Sequence, residues 1–415
     1  MNLSVHEQEM LAGRFGEGVR WALGYQVAVG EYFGAERLVP ATNAHLVADM
    51  EVMGEAGLAF LGQLVEQGTR VSIPTTLNAG FTDPAFAQVL HQDEDLVARQ
   101  VVMRERLQAL GVLNVDTCIN YQSVYQPHVG EHLAWGDTGA VCFANSVLGG
   151  RSNFEAGPAA LAAGITGRVP AFGYHLDRHR RATTYVEVKT TLEDYADWGA
   201  LGAWVGRRSQ SYWDVPFFDG IGPSLTRSAD QLKHLAAALA SYGSIALFGA
   251  RNVTPDWAAM NPEGARQKRT LTVGANELEE VYASYAADLN TTDVDLVVFS
   301  GPQQSLYELA LLAELLGGQQ VHANTRLIVT TNHAYYQWAQ QLGYIQTIEK
   351  AGGLVLTGVC FYLMTIDRLQ RENGWHTVVT NSTKLANIVG AHPYRPILRR
   401  TRDCVAAAIA GRLVQ

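Results

Sequence analysis

The stretch SLYELALLAELLGGQQVHANTRLIVTT, residues 305–331, decides the fold of this chain. Its composition and periodicity predict a helix over Ser305–Leu316 and then a strand over Thr325–Thr331. The following residues repeat the order, with a helix over Ala334–Ala351 and a strand over Gly353–Cys360. Helices that alternate with strands in this rhythm predict an α/β domain built on a largely parallel sheet.

The same alternation runs through the first part of the chain. Gly68–Leu77 reads as a strand, Pro84–Leu110 as a helix and Gly111–Cys118 (GVLNVDTC) as the next strand. We therefore expect a second α/β region with a largely parallel sheet upstream of the first.

The α/β rhythm that contains residues 305–360 starts earlier in the chain, near Ser228. The pattern predicts a helix over Ala229–Tyr242, a strand over Ser244–Phe248 and a helix over Ala275–Leu289. The mixture of aromatic residues, Pro and Gly within Gly206–Arg227 indicates a linker. These observations predict two α/β regions, residues 1–215 and residues 216–415.

Composition points to a small-molecule partner. The chain has 415 residues, of which 47% are hydrophobic and 17% charged, and its formal net charge is −9. A negative chain has no electrostatic reason to bind nucleic acid or an anionic membrane. The N-terminus carries Glu7 and Glu9 where a signal peptide needs an apolar core, and the longest apolar run, Gly352 to Met364, is thirteen residues, too short to span a bilayer. We expect a cytoplasmic protein.

Four cysteines, Cys118, Cys142, Cys360 and Cys404, are too few for a disulfide scaffold and contain no CxxC pair. Local spacing therefore gives no metal signature, and inert buried thiols are the simplest interpretation. Cys118 and Cys360 each end a predicted strand, and the carboxyl ends of parallel strands are where open α/β sheets bind ligands. Cys142 lies in the apolar run AVCFANS and is expected to pack in the core.

Motifs distributed in order over nearly the whole chain carry a family resemblance. They include ERLVPATNAHL, MGEAGLAFL, RVSIPTTLN, ANSVLGGRSN, GRVPAFGYHLD, GYIQTIEKAGG and VVTNSTK. Together they resemble the large subunit of aconitase X, a divergent branch of the aconitase superfamily. The resemblance implies aconitase-like layered domains with largely parallel sheets and an interdomain cleft.

The resemblance also implies a hydro-lyase that removes water from a small hydroxylated carboxylic acid. It implies an iron–sulfur cluster, of open nuclearity, on cysteines that match Cys118, Cys360 and Cys404 of this chain. The chemistry is coherent, because hydroxide is a poor leaving group that a Lewis acid assists, and thiolates are the soft ligands that such clusters prefer.

Further positions match family segments expected to hold the substrate: His45, Thr75, Asn78, Asn145, Ser146, Arg151, Asn153, His175, Asp177, Ser382 and Lys384. Structural interpretations stay open for several of these. Asn145 and Ser146 could cap a helix, Arg151 or Asp177 could form a structural ion pair, and Lys384 could be a solvated surface lysine.

Three loops depart from the family pattern. Family WAESSA reads WGDTGA at residues 135–140, HLDENR reads HLDRHR at 175–180, and the loop at 300–305 reads SGPQQS without the histidine of the family's GSPH-like loop. We expect a retained cluster and an altered substrate, with poor activity on the two acids that members of the resembled family dehydrate, cis-3-hydroxy-L-proline and mevalonate 5-phosphate.

Family members use a small swivelling domain, fused or supplied as a second subunit, which brings a serine that acts as the base. We expect a small partner subunit for this chain, since both α/β regions leave no room for that domain. The alternative is a base from its own loops, with Asp137 or His175 as candidates.

Three other functions remain open. The first is an aconitase-type isomerase that dehydrates and rehydrates its substrate, and the second is a cluster-free relative that binds a ligand or a partner subunit. The third makes Cys118 a nucleophile beside His128 or His132, without a supporting motif.

Overall fold

The structure, a computed structural model, describes residues 1–224, 226–286 and 293–414. The elements of the first part are α1 (Val5–Leu11), α2 (Glu17–Tyr32), β1 (Leu38–Pro40), β2 (Asn43–Leu46), α3 (Met50–Glu66), β3 (Thr75–Leu77), α4 (Glu94–Ala109), α5 (Asn120–Ser123), β4 (Leu133–Trp135), α6 (Thr138–Val147), α7 (Gly157–Thr166) and β5 (Arg168–Pro170). Strand β2 lies between β3 and β4, and both pairings are parallel. Strands β1 and β5 pair with each other in antiparallel orientation.

The strand predicted over Gly111–Cys118 forms only an isolated bridge, which pairs Leu113 with Thr76. Beyond it Asp116 adopts a left-handed φ of 49°, a conformation that does not continue a strand. The predicted helix over Pro84–Leu110 begins later, at Glu94, where the Asp93 side chain accepts a hydrogen bond from the Leu96 N–H.

The middle part contains a four-stranded parallel sheet in the order β8-β7-β6-β9. Its elements are β6 (Thr184–Val188), α8 (Tyr195–Gly206), β7 (Pro216–Asp219), α9 (Ser228–Gly243), β8 (Gly249–Ala250), α10 (Pro262–Lys268), β9 (Thr270–Val273) and α11 (Ala275–Ala283). Because β6 and β7 are neighbours, this sheet takes strands from both sides of the boundary predicted at residue 215.

Two predicted elements of the middle part differ from the structure. The segment predicted as a strand over Ser244–Phe248 has no strand partner, because its main chain bonds to side chains of α6. The Phe248 N–H donates to Ser146, and the Ala246 carbonyl accepts from Asn145. The helix predicted over residues 275–289 ends at Ala283, and residues 287–289 lie outside the described residues.

The last part is a five-stranded parallel sheet in the order β12-β11-β10-β13-β14. Its elements are β10 (Leu296–Phe299), α12 (Leu306–Leu316), β11 (Arg326–Thr331), α13 (His333–Gln341), α14 (Tyr344–Lys350), β12 (Gly353–Thr357), α15 (Ile366–Asn373), β13 (Thr377–Thr380), α16 (Thr383–Val389), β14 (Arg395–Leu398) and α17 (Thr401–Ala410).

The deciding stretch folds as predicted, since Ser305 and Glu308 form a capping box that starts α12. The helix predicted over Ala334–Ala351 is two helices, separated by Gly343 at a left-handed φ of 81°. Among the described residues no helix combines the length and the apolar composition that crossing a membrane requires.

Candidate functional site

The segments that carry Cys118 and Cys360 meet where several parallel strands end. Residue Gly80, three positions after β3, bridges to Val359, and the Cys360 N–H donates to the Gly80 carbonyl over 3.1 Å. Between β12 and Cys360, Gly358 has a φ of 70°, and a Cβ there would lie 2.9 Å from the Asp116 side chain. Only glycine fits this turn, which places Cys360 beside the segment that leads to Cys118.

The two thiols share a hydrogen bond in a buried setting, where Cys118 is 5% and Cys360 1% exposed. The bond to Cys360, together with burial, raises the pKa of Cys118 well above its usual value. Burial opposes ionisation of Cys360, but the bond from Cys118 and the charge of Lys384 lower the pKa of Cys360 below its usual value. The two shifts therefore favour ionisation of Cys360 over ionisation of Cys118.

A buried ion pair stands beside the thiols. Asp137 is the N-cap of α6, and its Oδ1 accepts from the Ala140 N–H. Its Oδ2 lies 3.7 Å from Nζ of Lys384, which belongs to the first turn of α16. Both residues are 6% exposed. Burial opposes the charged form of Lys384, but the charges of Asp137 and of the thiols raise the pKa of this lysine above its usual value.

His45 on β2 completes the group that we call the thiol site: Cys118, Cys360, Asp137, Lys384 and His45. The His45 ring bonds to Thr76 over 2.8 Å and to Asn78 over 3.3 Å. Burial lowers the pKa of His45 to about 4, against a smaller opposite effect of Asp137, so the ring is neutral near pH 7.

Ser382 fixes the main chain next to Lys384 of the thiol site. Its hydroxyl donates to the Gly301 carbonyl and accepts from the Leu385 N–H, so it caps α16 and holds the loop after β10. Of the residues predicted to hold substrate, His45, Asn78, Ser382 and Lys384 therefore lie in or beside the thiol site.

A second polar group, the histidine cluster, contains His132, His175, Glu155, Arg151 and Asp177. The Nδ1 atoms of His132 and His175 are 2.9 Å apart, and Nε2 of His175 lies 3.8 Å from Glu155. Arg151 donates to the His175 carbonyl and pairs with Asp177. His132 precedes β4, whereas Asp137 follows it, so the cluster and the thiol site occupy opposite ends of that strand. Of the two candidate bases, Asp137 lies in the thiol site and His175 does not.

The remaining predicted substrate residues form structural bonds. Asn145 bonds to the main chain of Ser152 and Ala246, and Asn153 bonds to the main chain of Phe172 and Tyr174. Thr75 donates to the Ile73 carbonyl and packs against Gly164. A cavity of about 240 Å³ lies beside the histidine cluster and is lined partly by Asn145, Ser146, Arg151, Asp177 and Arg180.

Comparisons with known proteins give the same family throughout. Sequence models of the aconitase X first, second and third domains match residues 1–178, 182–283 and 294–410. The phosphomevalonate dehydratase large subunit of Thermococcus kodakarensis is 35% identical over 93% of this chain and 94% of its own length. The chain belongs to the aconitase X family.

Other aconitase X proteins extend the likeness. The cis-3-hydroxy-L-proline dehydratase of Pseudomonas aeruginosa is 30% identical over 99% of this chain and 70% of its own length. The crystal structure of Thermococcus kodakaraensis aconitase X in its holo form matches with a TM-score of 0.86 and 32% identity, covering 98% of this chain and 100% of that one. The predicted family and the α/β fold with largely parallel sheets are confirmed. The prediction of a dehydratase is confirmed as well, whereas the division at residue 215 stays a prediction.

The three cysteines matched through the aconitase X resemblance do not form one ligand set. Cys404 is buried in the first turn of α17, where its thiol donates to the Arg399 carbonyl over 3.4 Å. Burial and the charge of Asp194 raise the pKa of Cys404 well above its usual value. Within the residues that the structure describes, no three His, Cys, Asp or Glu side chains are grouped to hold a metal ion. The residues present do not fit a cluster on Cys118, Cys360 and Cys404.

The other sulfur and histidine predictions have simple outcomes. Cys142 is fully buried in α6, and burial raises its pKa above the usual value, which agrees with the predicted packing role. His128 is exposed, and His132 belongs to the histidine cluster at the far end of β4. Neither is placed to activate Cys118 as a nucleophile.

Three residues that touch the thiols were not singled out from the sequence. Ser300 lies 3.8 Å from the Cys360 sulfur, Tyr362 bonds to the same sulfur, and Gln303 donates its N–H to the Cys118 sulfur over 3.3 Å. The available signals were the position of Ser300 directly after a buried strand and the altered SGPQQS loop that contains Gln303.

Proposed function

We propose that this chain is the catalytic subunit of a dehydratase that removes water from a small hydroxylated carboxylic acid. The supporting observation is the thiol site, in which a buried lysine, an aspartate and two cysteines converge at the carboxyl ends of strands from two sheets. Ligands of α/β proteins bind at such strand ends. Curated relatives with the same domains are dehydratases.

The Lys384 ammonium group is placed to bind the substrate carboxylate. It is almost fully buried, and Asp137 keeps it charged. Close to a site that excludes water, a fixed cation binds a carboxylate more strongly than it does in bulk solvent. This contact orients the carbon next to the carboxylate, from which the proton must leave.

Asp137 is the candidate base within this chain. Its Oδ1 is occupied by the Ala140 N–H, which fixes the carboxylate and leaves Oδ2 facing Lys384. A carboxylate held in this way accepts a proton at Oδ2 from the carbon beside the bound carboxyl group. The electron pair of that C–H bond forms the double bond as the hydroxyl group leaves the next carbon, and the proton on Oδ2 passes to the departing hydroxide to give water. His45, neutral near pH 7, adds no competing positive charge.

The iron–sulfur cluster expected from the resemblance stays a prediction. Cys404 lies apart from Cys118 and Cys360, so the proposed reaction does not include a cluster held by all three cysteines. Iron and acid-labile sulfide analysis of anaerobically purified protein measures its presence directly.

A small partner subunit belongs to the proposal. The relatives from Thermococcus kodakarensis and Methanothermobacter thermautotrophicus are named large subunits, and they match this chain over 94% and 92% of their length. The cis-3-hydroxy-L-proline dehydratase of Pseudomonas aeruginosa carries additional length in a single chain. These comparisons support a second polypeptide that closes over the thiol site and excludes water from it.

The test uses the tagged chain purified anaerobically from its own cells together with any copurifying polypeptide. Hydroxyprolines, phosphorylated hydroxy acids and citrate-like acids are screened by NMR for stoichiometric loss of water. We expect one of them to be dehydrated by the complex, and Lys384→Met to lower kcat/KM for it by about 10²–10³-fold. Binding without turnover would instead support a ligand-binding relative, and a rehydrated isomer would support an isomerase.

A further inference from the structure

The cavity of about 240 Å³ beside the histidine cluster lies apart from the thiol site. Its wall includes Asn145 and Ser146, which belong to the last turn of α6. Both are fixed by main-chain bonds, because Asn145 donates to the Ala246 carbonyl and Ser146 accepts from the Phe248 N–H. Helix α6 has ten residues and begins after its cap Asp137. Since ten residues of helix span about 15 Å, the cavity and Asp137 are at opposite ends of α6.

A buried guanidinium group lines this cavity and keeps part of its hydrogen-bonding capacity. The Arg180 side chain donates to the carbonyls of Gly150, Tyr174 and Asn145. Oδ2 of Asp256, which also lines the cavity, is 3.7 Å from Nη2 of Arg180, too far for a hydrogen bond. A guanidinium group has five N–H donors, so these three bonds leave donors that a ligand can use.

The charges that line the cavity indicate what kind of ligand fits. Burial, and after it the charge of Arg151, lowers the pKa of Arg180 to about 10, so this side chain is charged near pH 7 and gains from a nearby carboxylate. Arg151 already pairs with Asp177 over 2.5 Å. The two arginines and the two aspartates of the cavity cancel in charge. A ligand with a net charge would leave one charge without a counter-charge, whereas a zwitterion offers a carboxylate to Arg180 and an ammonium group to Asp256.

The rest of the cavity wall is apolar. Leu247, Phe248 and Met260 are buried and line the cavity, and Ala259 lines it from an exposed position. Pockets for drug-sized ligands have roughly 300–1,000 Å³, so a cavity of this size takes a smaller molecule. A compact aliphatic group on the ligand would cover the apolar wall and exclude water from it.

From these contacts we propose that the cavity is a second binding site, which takes a small zwitterionic amino acid with an aliphatic side chain. The ligand carboxylate accepts hydrogen bonds from Arg180, and the ligand ammonium group donates to Asp256. The aliphatic side chain packs against Phe248 and Met260. The inference does not rest on the proposed function, because none of these residues belongs to the thiol site.

Isothermal titration calorimetry of the full-length chain with L-valine tests the charge requirement. Isovalerate has the same carbon skeleton without the ammonium group, and isobutylamine lacks the carboxylate. We expect L-valine to bind at one site and each analogue to bind at least about 10-fold more weakly, because each analogue leaves a charge of the cavity without its partner. Absence of saturable L-valine binding, or equal affinity for either analogue, would overturn the proposal.

Two neighbouring alanines provide a matched pair of variants that locates the binding. Ala259 and Ala258 are both exposed, but only Ala259 lines the cavity. Ala259→Trp fills part of the cavity and should lower the affinity for L-valine at least about 10-fold, since a filled site has no room for ligand. Ala258→Trp should bind L-valine as the wild-type chain does. Equal affinities of these two variants would place the bound L-valine elsewhere and refute the site.

Asp256→Asn tests the contact with the ammonium group. Without the carboxylate, the preference for L-valine over isovalerate should disappear, because the ammonium group loses its charged partner. Thermal melting of each variant checks that it is folded. A folded Asp256→Asn variant that keeps the full preference would contradict the assigned orientation of the ligand.

These outcomes are separate from the outcome for the proposed function. Calorimetry with L-valine requires neither the substrate nor the partner subunit. A chain that binds L-valine in the cavity but dehydrates none of the acids would keep the second site and refute the dehydratase. A chain that dehydrates one of the acids but does not bind L-valine would refute the second site alone.

Discussion

The thiol site and the histidine cluster lie at opposite ends of β4, and both are rich in polar side chains. The thiol site joins residues distant in sequence, since Asp137 meets Lys384 and Cys118 meets Cys360. The histidine cluster is local, and its residues span only 132–177. Its arginine bonds to a neighbouring carbonyl and to an aspartate that is 86% exposed.

The difference separates residues that hold loops from residues that are placed for chemistry. A side chain whose hydrogen bonds go to nearby main-chain groups is already occupied, as Asn153 is with Phe172 and Tyr174. Lys384 instead faces a carboxylate, an aromatic ring and two thiols across a domain boundary. Density of polar residues along the sequence is therefore a weaker guide to a reaction site than convergence of distant residues.

The largest expected effect is that of Lys384→Met in the thiol site. Loss of a fixed charge that binds the substrate carboxylate should lower kcat/KM by about 10²–10³-fold. Asp137 is left buried without its partner, so the free energy of unfolding should also fall by about 3–5 kcal/mol. The double variant Lys384→Met/Asp137→Asn should regain most of the stability and none of the activity in denaturant titrations and turnover assays. Near-normal turnover in either variant would move the reaction site elsewhere.

The sequence predicted the α/β class and the deciding helix and strand, and it placed Cys118 and Cys360 at strand ends in different halves of the chain. The position of a residue at the end of a strand can be predicted because it depends on the local sequence pattern alone. The sequence did not locate Gln303, whose role arises from main-chain carbonyls of three separate segments. Cys404 was assigned through resemblance, and only tertiary structure shows that its thiol is directed to Arg399.

A second comparison of the two regions uses the pH dependence of stability that His45 and His132 contribute. Burial lowers the pKa of His45 and of His132 to about 4 from 6.5. Between pH 6.5 and 4 the unfolded chain binds more protons at these positions than the folded chain, so stability falls as the pH falls and is fully present above pH 6.5. The contribution of fully buried His45 is at most about 3 kcal/mol, and that of the half-buried His132 is smaller.

Denaturant titrations from pH 7 to pH 4 measure both contributions as differences from the wild-type chain. His45→Gln should flatten the loss of stability in that range more than His132→Gln does. An equal slope for wild type and His45→Gln would mean that His45 is solvated or charged in the folded protein.

Arg180 beside the histidine cluster should affect stability but not catalysis. Its guanidinium donates to the carbonyls of Gly150, Tyr174 and Asn145, and it is 7% exposed. Arg180→Met should lower the free energy of unfolding by about 2 kcal/mol, since charged hydrogen bonds to buried carbonyls are lost. With kcat/KM measured below the melting temperature, a fall as large as that of Lys384→Met would erase the distinction between the two regions.

The smallest expected effect is that of Asp177→Asn, which decides directly between the sequence-based role and the geometric one. If Asp177 binds substrate, as the HLD motif predicts, removal of its charge should raise KM many-fold. In the structure its carboxylate is 86% exposed and pairs with Arg151 at the end of β4 away from the thiols. Exposed ion pairs contribute at most about 1 kcal/mol to the free energy of unfolding. We therefore expect Asp177→Asn to change that free energy by no more than this and to leave KM unaltered. Arg151 keeps its bond to the His175 carbonyl in this variant and continues to support the loop. A many-fold rise in KM with an unchanged melting temperature would place substrate at the histidine cluster, and the cavity of about 240 Å³ beside it would then be the binding site.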